Sequence, residues 1–375
     1  PRTPAAIAAR AQWGEAVSSL DEARPAELFI DALFGTGLAR GLDDATAGHL
    51  ARLAAGSRYS VAIDFPSGAA TDDGALLSPI PAFDMTVALG ALKPGHLLQP
   101  AAHYMGRLVT IDIALGEIDR TMIRISRPQL PAPGPGSHKY NRGAVGIVGG
   151  AMAGAAILAA SAAQRAGAGS VSLSGVASGG PAALIRKEEA AILRDQRIGA
   201  LLIGPGLGRD RDAAKRLNAA FASQRPLVLD ADALTLMGSG YEKHLAKGAP
   251  LPILTPHSGE FAWMFGELPG SKIERTRTAA ARANAIIINK GPDTVIAHPD
   301  GRVAIAAPAP YWLASAGTGD VLAGIIAAML AQSGDPFAAA QAAVWLHGEA
   351  ARLAGPMLIA DDLIGHLREA ILSCL

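Results

Sequence analysis

The chain has 375 residues, with 33 Lys and Arg against 33 Asp and Glu, so its formal net charge is zero. No basic tract stands out, which removes support for a nucleic-acid or anionic-membrane partner and leaves the attraction of any anion to local groups. Half the residues are hydrophobic and only 5% aromatic, so the core is built from Ala, Val, Ile and Leu, and the length suits two or three domains.

The single cysteine, Cys374, excludes an intrachain disulfide and a cysteine metal cluster, and fits a reducing, cytoplasmic location. No apolar run reaches the ~18 residues of a membrane helix without a Gly or polar break. The opening PRTPAAIAARAQWGEAV lacks the apolar core of a signal peptide, and its first residue is Pro, so a longer parent chain is expected.

In chain order, an amphipathic piece over 15–25 leads into apolar runs at 28–35, 60–68, 85–90 and 107–116, with one convincing helix at 43–56. Continuous apolar runs that end in Gly or Asp predict parallel strands buried on both faces. One crossover helix is thin for a doubly wound domain, and the segment reads as the second half of one. SRPQLPAPGPGSH (126–138) then carries four prolines and two glycines with little to bury. It predicts a linker over 126–137 between domains at 1–125 and 138–375. Beyond it, AVGIVGG, SVSLSG, ALLIGPGLG, PLVLDADAL, LPILTPH and AIIINKG are strands that end in glycine or polar residues. Helices at 152–167, 210–223, 258–266, 272–284, 318–332 and 336–354 separate or follow them. This alternation predicts a layered α/β fold with its ligands where strands end and helices begin.

AGTGDVLAGIIAAML (316–330) puts Gly317, Gly319 and Asp320 at the start of an oily helix. Open amides at a helix start suit a phosphate, and the helix field favours an ionised Asp320. A carboxylate beside a phosphate path is placed to take the proton of a hydroxyl that receives a phosphoryl group. The alternative is capping of the helix by Ser315, Thr318 or Asp320. NKGPDT (289–294) offers Lys290, Gly291 and Thr294 to a nucleotide, or is a hairpin turn. IGPGLG (203–208) is a glycine loop of the kind that packs against a ligand, and TPHSGEF (255–261) places His257 and Glu260 at a helix start. Asp230 and Asp232 at a strand end are candidates for organising a hydrated Mg²⁺, or for capping the next helix.

Taken together, HKYNRGAVGIVGGAMAGAAILAASAAQRAGAGSV, IGPGLGRD, LDADAL, TPHSGEF, NKGPDT and AGTGDVLAGIIAAML resemble the NAD(P)H-hydrate dehydratase family over about residues 137–370. DALFGTGL and DFPSG in the first half are similar to the NAD(P)H-hydrate epimerase domain commonly fused in front of it. The resemblance implies an α/β protein with a C-terminal ribokinase-like three-layer domain, preceded by a partial Rossmann-like epimerase domain. It implies that hydrated NADH or NADPH is phosphorylated on its ring hydroxyl, by ADP in bacterial members or ATP in eukaryotic ones, after which phosphate leaves and the dihydronicotinamide is restored. By carry-over, Asp320 is the base, and Ala155, Gly206 and His257 contact the hydrate together with Asp320. The loop Lys290, Gly291, Pro292, Asp293 and Thr294, with Gly319, holds the nucleotide. In the first half, Gly35, Thr36, Gly37, Leu38, Ala39, Arg40 and Gly41 take the cofactor's phosphates, Asp64 contacts the substrate, and Asp31 and Ser67 ligate potassium. Without the family, those strand ends read as turn-forming caps.

The family's Asn-Asn-Gly-Gly-Asp-Gly loop is not in this sequence, so the chain as written is expected to lack epimerase activity. Partners are expected to be the small-molecule substrate and further copies of the chain. Two rival readings share the helix-start acid: a ribokinase-type kinase of a small vitamin-precursor alcohol, which releases a phosphorylated product, and a non-catalytic nucleotide-binding regulator, which releases no phosphate.

Overall fold

A computed structural model describes residues 4–117, 119–244 and 249–375. The chain divides into two compact units, Pro1–Glu117 and Ile118–Leu375.

The first unit runs α1 (Pro4–Trp13), β1 (Leu28–Asp31), α2 (Asp44–Gly56), β2 (Tyr59–Ile63), β3 (Met85–Leu89) and β4 (Arg107–Ile111). The strands form one sheet in the order β1-β2-β3-β4, parallel throughout. Asp43 caps α2 by accepting from Thr46 N at 2.8 Å. Residues 15–25 form no helix: Ser19 N and Oγ both bond the Glu22 carboxylate, and Pro25 follows three residues later. One expectation is corrected: not every strand is covered on both faces, because Leu28 and Ile30 of β1 are 49% and 52% exposed on this edge strand.

The second unit opens with β5 (Met122–Arg124), β6 (Ala144–Val148), α3 (Ala153–Arg165), β7 (Ser170–Ser174), β8 (Ile185–Arg186), α4 (Glu189–Arg194) and β9 (Ala200–Ile203). It continues with α5 (Arg211–Ala222), β10 (Leu227–Leu229), α6 (Asp232–Met237), β11 (Ile253–Leu254), α7 (Ser258–Phe265), α8 (Lys272–Ala283) and β12 (Ile286–Asn289). It closes with β13 (Val295–Ala297), β14 (Val303–Ile305), α9 (Thr318–Ser333), α10 (Pro336–Ala354) and α11 (Ala360–Leu372). The ten strands order as β5-β14-β13-β12-β11-β10-β9-β6-β7-β8, with antiparallel pairing only at β12–β13 and β13–β14. Residues 122–124, upstream of the proline-rich stretch, therefore belong to this sheet through β14.

Strand side chains alternate between two faces. Val145 and Ile147 of β6 join the core formed with α3, α9, α10 and α11. Gly146 turns the other way, toward Ile192 of α4 and Leu201. Helix α9 is buried along nearly its whole length, and its small residues let it cross α3 closely: a Cβ on Gly324 would collide with the Ala159 carbonyl. From β6 the chain builds outward to β7 and β8, then returns to the opposite side of β6 with β9. The carboxyl ends of β6 and β9 thus flank a switch in strand order, where open α/β sheets bind ligands. Among the described residues no helix is long and apolar enough to cross a membrane.

Candidate active site

Helix α9 begins without a side-chain cap. Its N-cap is Gly317, and the Thr318 hydroxyl lies 2.9 Å from the carbonyl oxygens of Leu313 and Ser315, not on the helix amides. Capping by Ser315, Thr318 or Asp320 is therefore not what this sequence does, and the first-turn amides stay open. Lys290, the first residue of the β12–β13 hairpin loop, reaches this point: its Nζ is 3.6 Å from where a Gly319 Cβ would stand. The loop is a hairpin turn, with Lys290 at its start.

The Lys290 ammonium is paired with Asp230, Nζ to Oδ1 at 2.8 Å. Thr255 Oγ1 donates to the same carboxylate oxygen at 2.5 Å. Burial pushes the Lys290 pKa down, but the attraction of Asp230, with Glu260 and Asp320 behind it, more than offsets this and holds the group above its ordinary value. Burial acts against the helix field at Asp320. Burial, reinforced by the Asp230 charge, lifts its pKa to about 6 even though Lys290 opposes the rise. Desolvation outweighs the helix field, and the result is a carboxyl that changes state near neutrality. Glu260 is also raised, chiefly by burial.

From Lys290 and Thr318 a cleft of about 1110 Å³ extends across the unit, lined also by His257, Gly291, Pro292 and Thr294. Asp293 is not on that wall. Its carboxylate pairs with Lys272 at 2.6 Å, and the same ammonium also bonds its carbonyl. His257 caps α7, accepting from Gly259 N at 3.0 Å, while Glu260 accepts from His257 N at 2.9 Å. Ala155 stands half-buried in the first turn of α3, and Met152, which caps that helix, donates its N–H to the Gly206 carbonyl at 2.9 Å. The sheet thereby brings the start of α3 and Gly206 together at the β6/β9 switch. Gly206 has φ +64°, and a Cβ there would strike the Met152 carbonyl. Gly206→Ala is expected to lose more than about 1 kcal/mol of stability, read from chemical denaturation.

Asp230 and Asp232 are both engaged: Arg209 Nε lies 2.7 Å from Asp232, which also accepts from Gly208 N at 2.9 Å. Among the described residues no group of three or more His, Cys, Asp or Glu is placed to hold a metal. The few carboxylates here fit a Mg²⁺ held mainly by phosphate oxygens and water, and do not fit an all-protein cage. Sequence reasoning passed over Thr255, Lys272 and His347. The last is a lone histidine in an apolar helix, where its type alone signals little.

In the first unit, Asp31 and Ser67 do meet. Ser67 N and Oγ lie 2.8 and 2.7 Å from the Asp31 oxygens, and the Phe34 carbonyl is 3.2 Å from the same hydroxyl. These are hard oxygens of the kind a potassium ion takes. Asp64, with φ +64°, accepts from Leu89 N at 3.1 Å and pairs with Lys93, and Gly35 lies against its carboxylate. Burial pushes the neighbouring His96 down in pKa. Lys93 was not anticipated.

An α/β sheet with an uncapped helix start and an acid in that first turn has the ribokinase-like fold. A ribokinase-like superfamily protein from Enterococcus faecalis shares the fold, with a TM-score of 0.58 at 24% identity over 69% of this chain and 98% of that one. The family profile for NAD(P)H-hydrate dehydratase matches residues 145–369, and that for the YjeF-related protein N-terminus matches 5–95. The bifunctional NAD(P)H-hydrate repair enzyme of Mycobacterium tuberculosis is 35% identical over 330 residues, covering 85% of this chain and 68% of the relative. That of Escherichia coli is 31% identical, covering 92% and 72%. The ADP/ATP-dependent NAD(P)H-hydrate dehydratase of Bacillus subtilis, co-crystallised with ATP and Mg²⁺, superposes with a TM-score of 0.57 at 30% identity, over 66% of this chain and 95% of that one. The chain belongs to the NAD(P)H-hydrate dehydratase family, joined to an epimerase-like N-terminal domain, and is a homologue of the bifunctional repair enzymes.

Proposed function

We propose that the second unit dehydrates the S form of hydrated NADH and NADPH at the expense of ADP, releasing AMP and phosphate. The observation that carries this reading is the uncapped start of α9, with Lys290 over Gly319 and Asp320 in the same turn. The nucleotide lies in the cleft along Gly291, Pro292 and Thr294, and its terminal phosphate meets the open amides of α9 and the Lys290 ammonium. The hydrate lies on the other side of that phosphate, against Ala155 and Gly206, with His257 at the mouth of the cleft.

Asp320 takes the proton of the ring hydroxyl as its oxygen attacks the β-phosphorus and the bond to the AMP oxygen breaks. Lys290 and the amides balance the charge that gathers on the phosphoryl oxygens. The new phosphate ester is a far better leaving group than hydroxide. The ring nitrogen lone pair expels it from the adjacent carbon, and loss of a proton from the next carbon restores the ring double bond. Mg²⁺ would supply charge neutralisation on the phosphates, and Asp230 would hold its water shell. In the first unit, Asp64 contacts the substrate, the Gly35–Gly41 loop takes its phosphates, and Asp31, Ser67 and the Phe34 carbonyl would hold a potassium ion.

The test is direct. The chain is mixed with enzymatically hydrated NADH, Mg²⁺ and either ADP or ATP, and the absorbance of reduced nicotinamide is followed. Recovery with ADP, accompanied by equal amounts of AMP and phosphate, is expected. No recovery with either nucleotide removes the assignment, and a stable phosphorylated product transfers it to the small-alcohol kinases.

A further inference from the structure

Helix α10 carries a histidine within its apolar stripe. His347 is 9% exposed, and its Nε2 lies 2.9 Å from the carbonyl oxygen of Thr318, the first residue of α9. A carbonyl only accepts, so Nε2 bears the proton and donates it. Burial pushes the imidazole pKa down to about 4, against the pull of the Thr318 bond, so the ring is neutral at neutral pH. No step of the phosphoryl transfer needs this residue as acid or base.

Its consequence lies at the far end of the peptide it touches. The Thr318 carbonyl and the Gly319 N–H belong to one planar unit and point in opposite directions along the helix. A donor on the oxygen fixes the plane and polarises the amide, strengthening its N–H by about 10–30%. That N–H is one of the open amides beneath Lys290. Thr318 is held from a second side by its own hydroxyl, through Leu313 and Ser315. A histidine placed only to fill the core would be replaceable by leucine; this one spends its sole N–H on the cradle.

We propose that His347 is a positioning residue for the terminal phosphate of the nucleotide: its grip on the Thr318 carbonyl aims the Gly319 N–H at that phosphate. This rests on reading the start of α9 as the phosphate cradle. ADP carries the phosphate concerned and AMP does not, so the two ligands separate a role in the cradle from a role in the fold.

The experiment measures ADP and AMP affinity by calorimetry on the full chain and on His347→Leu and His347→Gln. Glutamine can carry an amide N–H to the Nε2 position; leucine cannot. His347→Leu is expected to weaken ADP about tenfold while leaving AMP unchanged, and His347→Gln to recover most of the loss. Where the leucine variant does not fold, His347→Asn, which stays polar but stops short of Thr318, takes its place with the same expectation. Equal losses for ADP and AMP, or no loss in a folded variant, overturn the proposal. A parent protein that binds ADP no more tightly than AMP overturns the cradle itself, and this inference with it.

Discussion

Asp320→Asn is expected to cut turnover of the hydrate by about 10²–10⁴-fold and to leave ADP affinity close to that of the parent. Asparagine keeps the size of the side chain and its hydrogen-bonding capacity but cannot accept the hydroxyl proton. The parent's own pH profile gives the same answer by another route. A base must be ionised, so kcat/KM should fall toward acid through about pH 6, the value to which burial lifts this carboxyl. The variant should lose that limb together with its activity.

The same shift has a consequence for stability, with a definite sign. The folded pKa lies above the ordinary 3.8, so the native state binds the proton more tightly than the unfolded chain. The ionised carboxylate is then a burden on the fold, absent below the ordinary pKa and complete above about pH 6. Asp320→Asn should therefore melt higher than the parent at pH 8 and together with it near pH 3.5. After discounting for the solvent that reaches this side chain, the gain is about 1 kcal/mol, or ~2–4 °C. A variant that keeps normal turnover, or that melts lower at pH 8, would remove Asp320 from the role of base.

Much of the site was legible because its residues stand where apolar periodicity stops. The strand runs before Gly204, Asp230, Thr255 and Lys290 each end at the carboxyl edge of the sheet, and the oily run from Val321 begins at the acid. Periodicity places such residues at one edge of a layered sheet without saying which of them touch. The Lys290–Asp230 pair joins positions sixty residues apart, and only the order β10-β11-β12 brings them together. Asp293 illustrates a related limit. Its loop was readable, but Lys272 on α8 draws its carboxylate off the cleft wall. The raised pKa of Asp320 was not legible, because sequence shows the helix start and not the depth of burial.

Lys290 carries the other large effect, because two roles converge on one ammonium. Lys290→Met leaves the Asp230 carboxylate, 2% exposed, without its cation. Removing one member of a buried pair costs about 3–5 kcal/mol, since the remaining charge is stranded. In a unit of this size that is a melting point lower by roughly 10 °C. The variant should also bind ADP poorly, and the two losses can be separated. Lys290→Met combined with Asp230→Asn removes both charges and lets Thr255 keep a hydrogen-bonding partner. The double variant should regain most of the stability in chemical denaturation, because an uncharged amide buries far more cheaply than a lone carboxylate. It should not regain ADP affinity, because the phosphate has then lost its lysine. Recovery of both properties together would mean that the lysine serves the fold alone. A single variant as stable as the parent would mean that Asp230 finds other company, and the electrostatic account of this corner of the site would have to be rebuilt around Glu260 and Asp320.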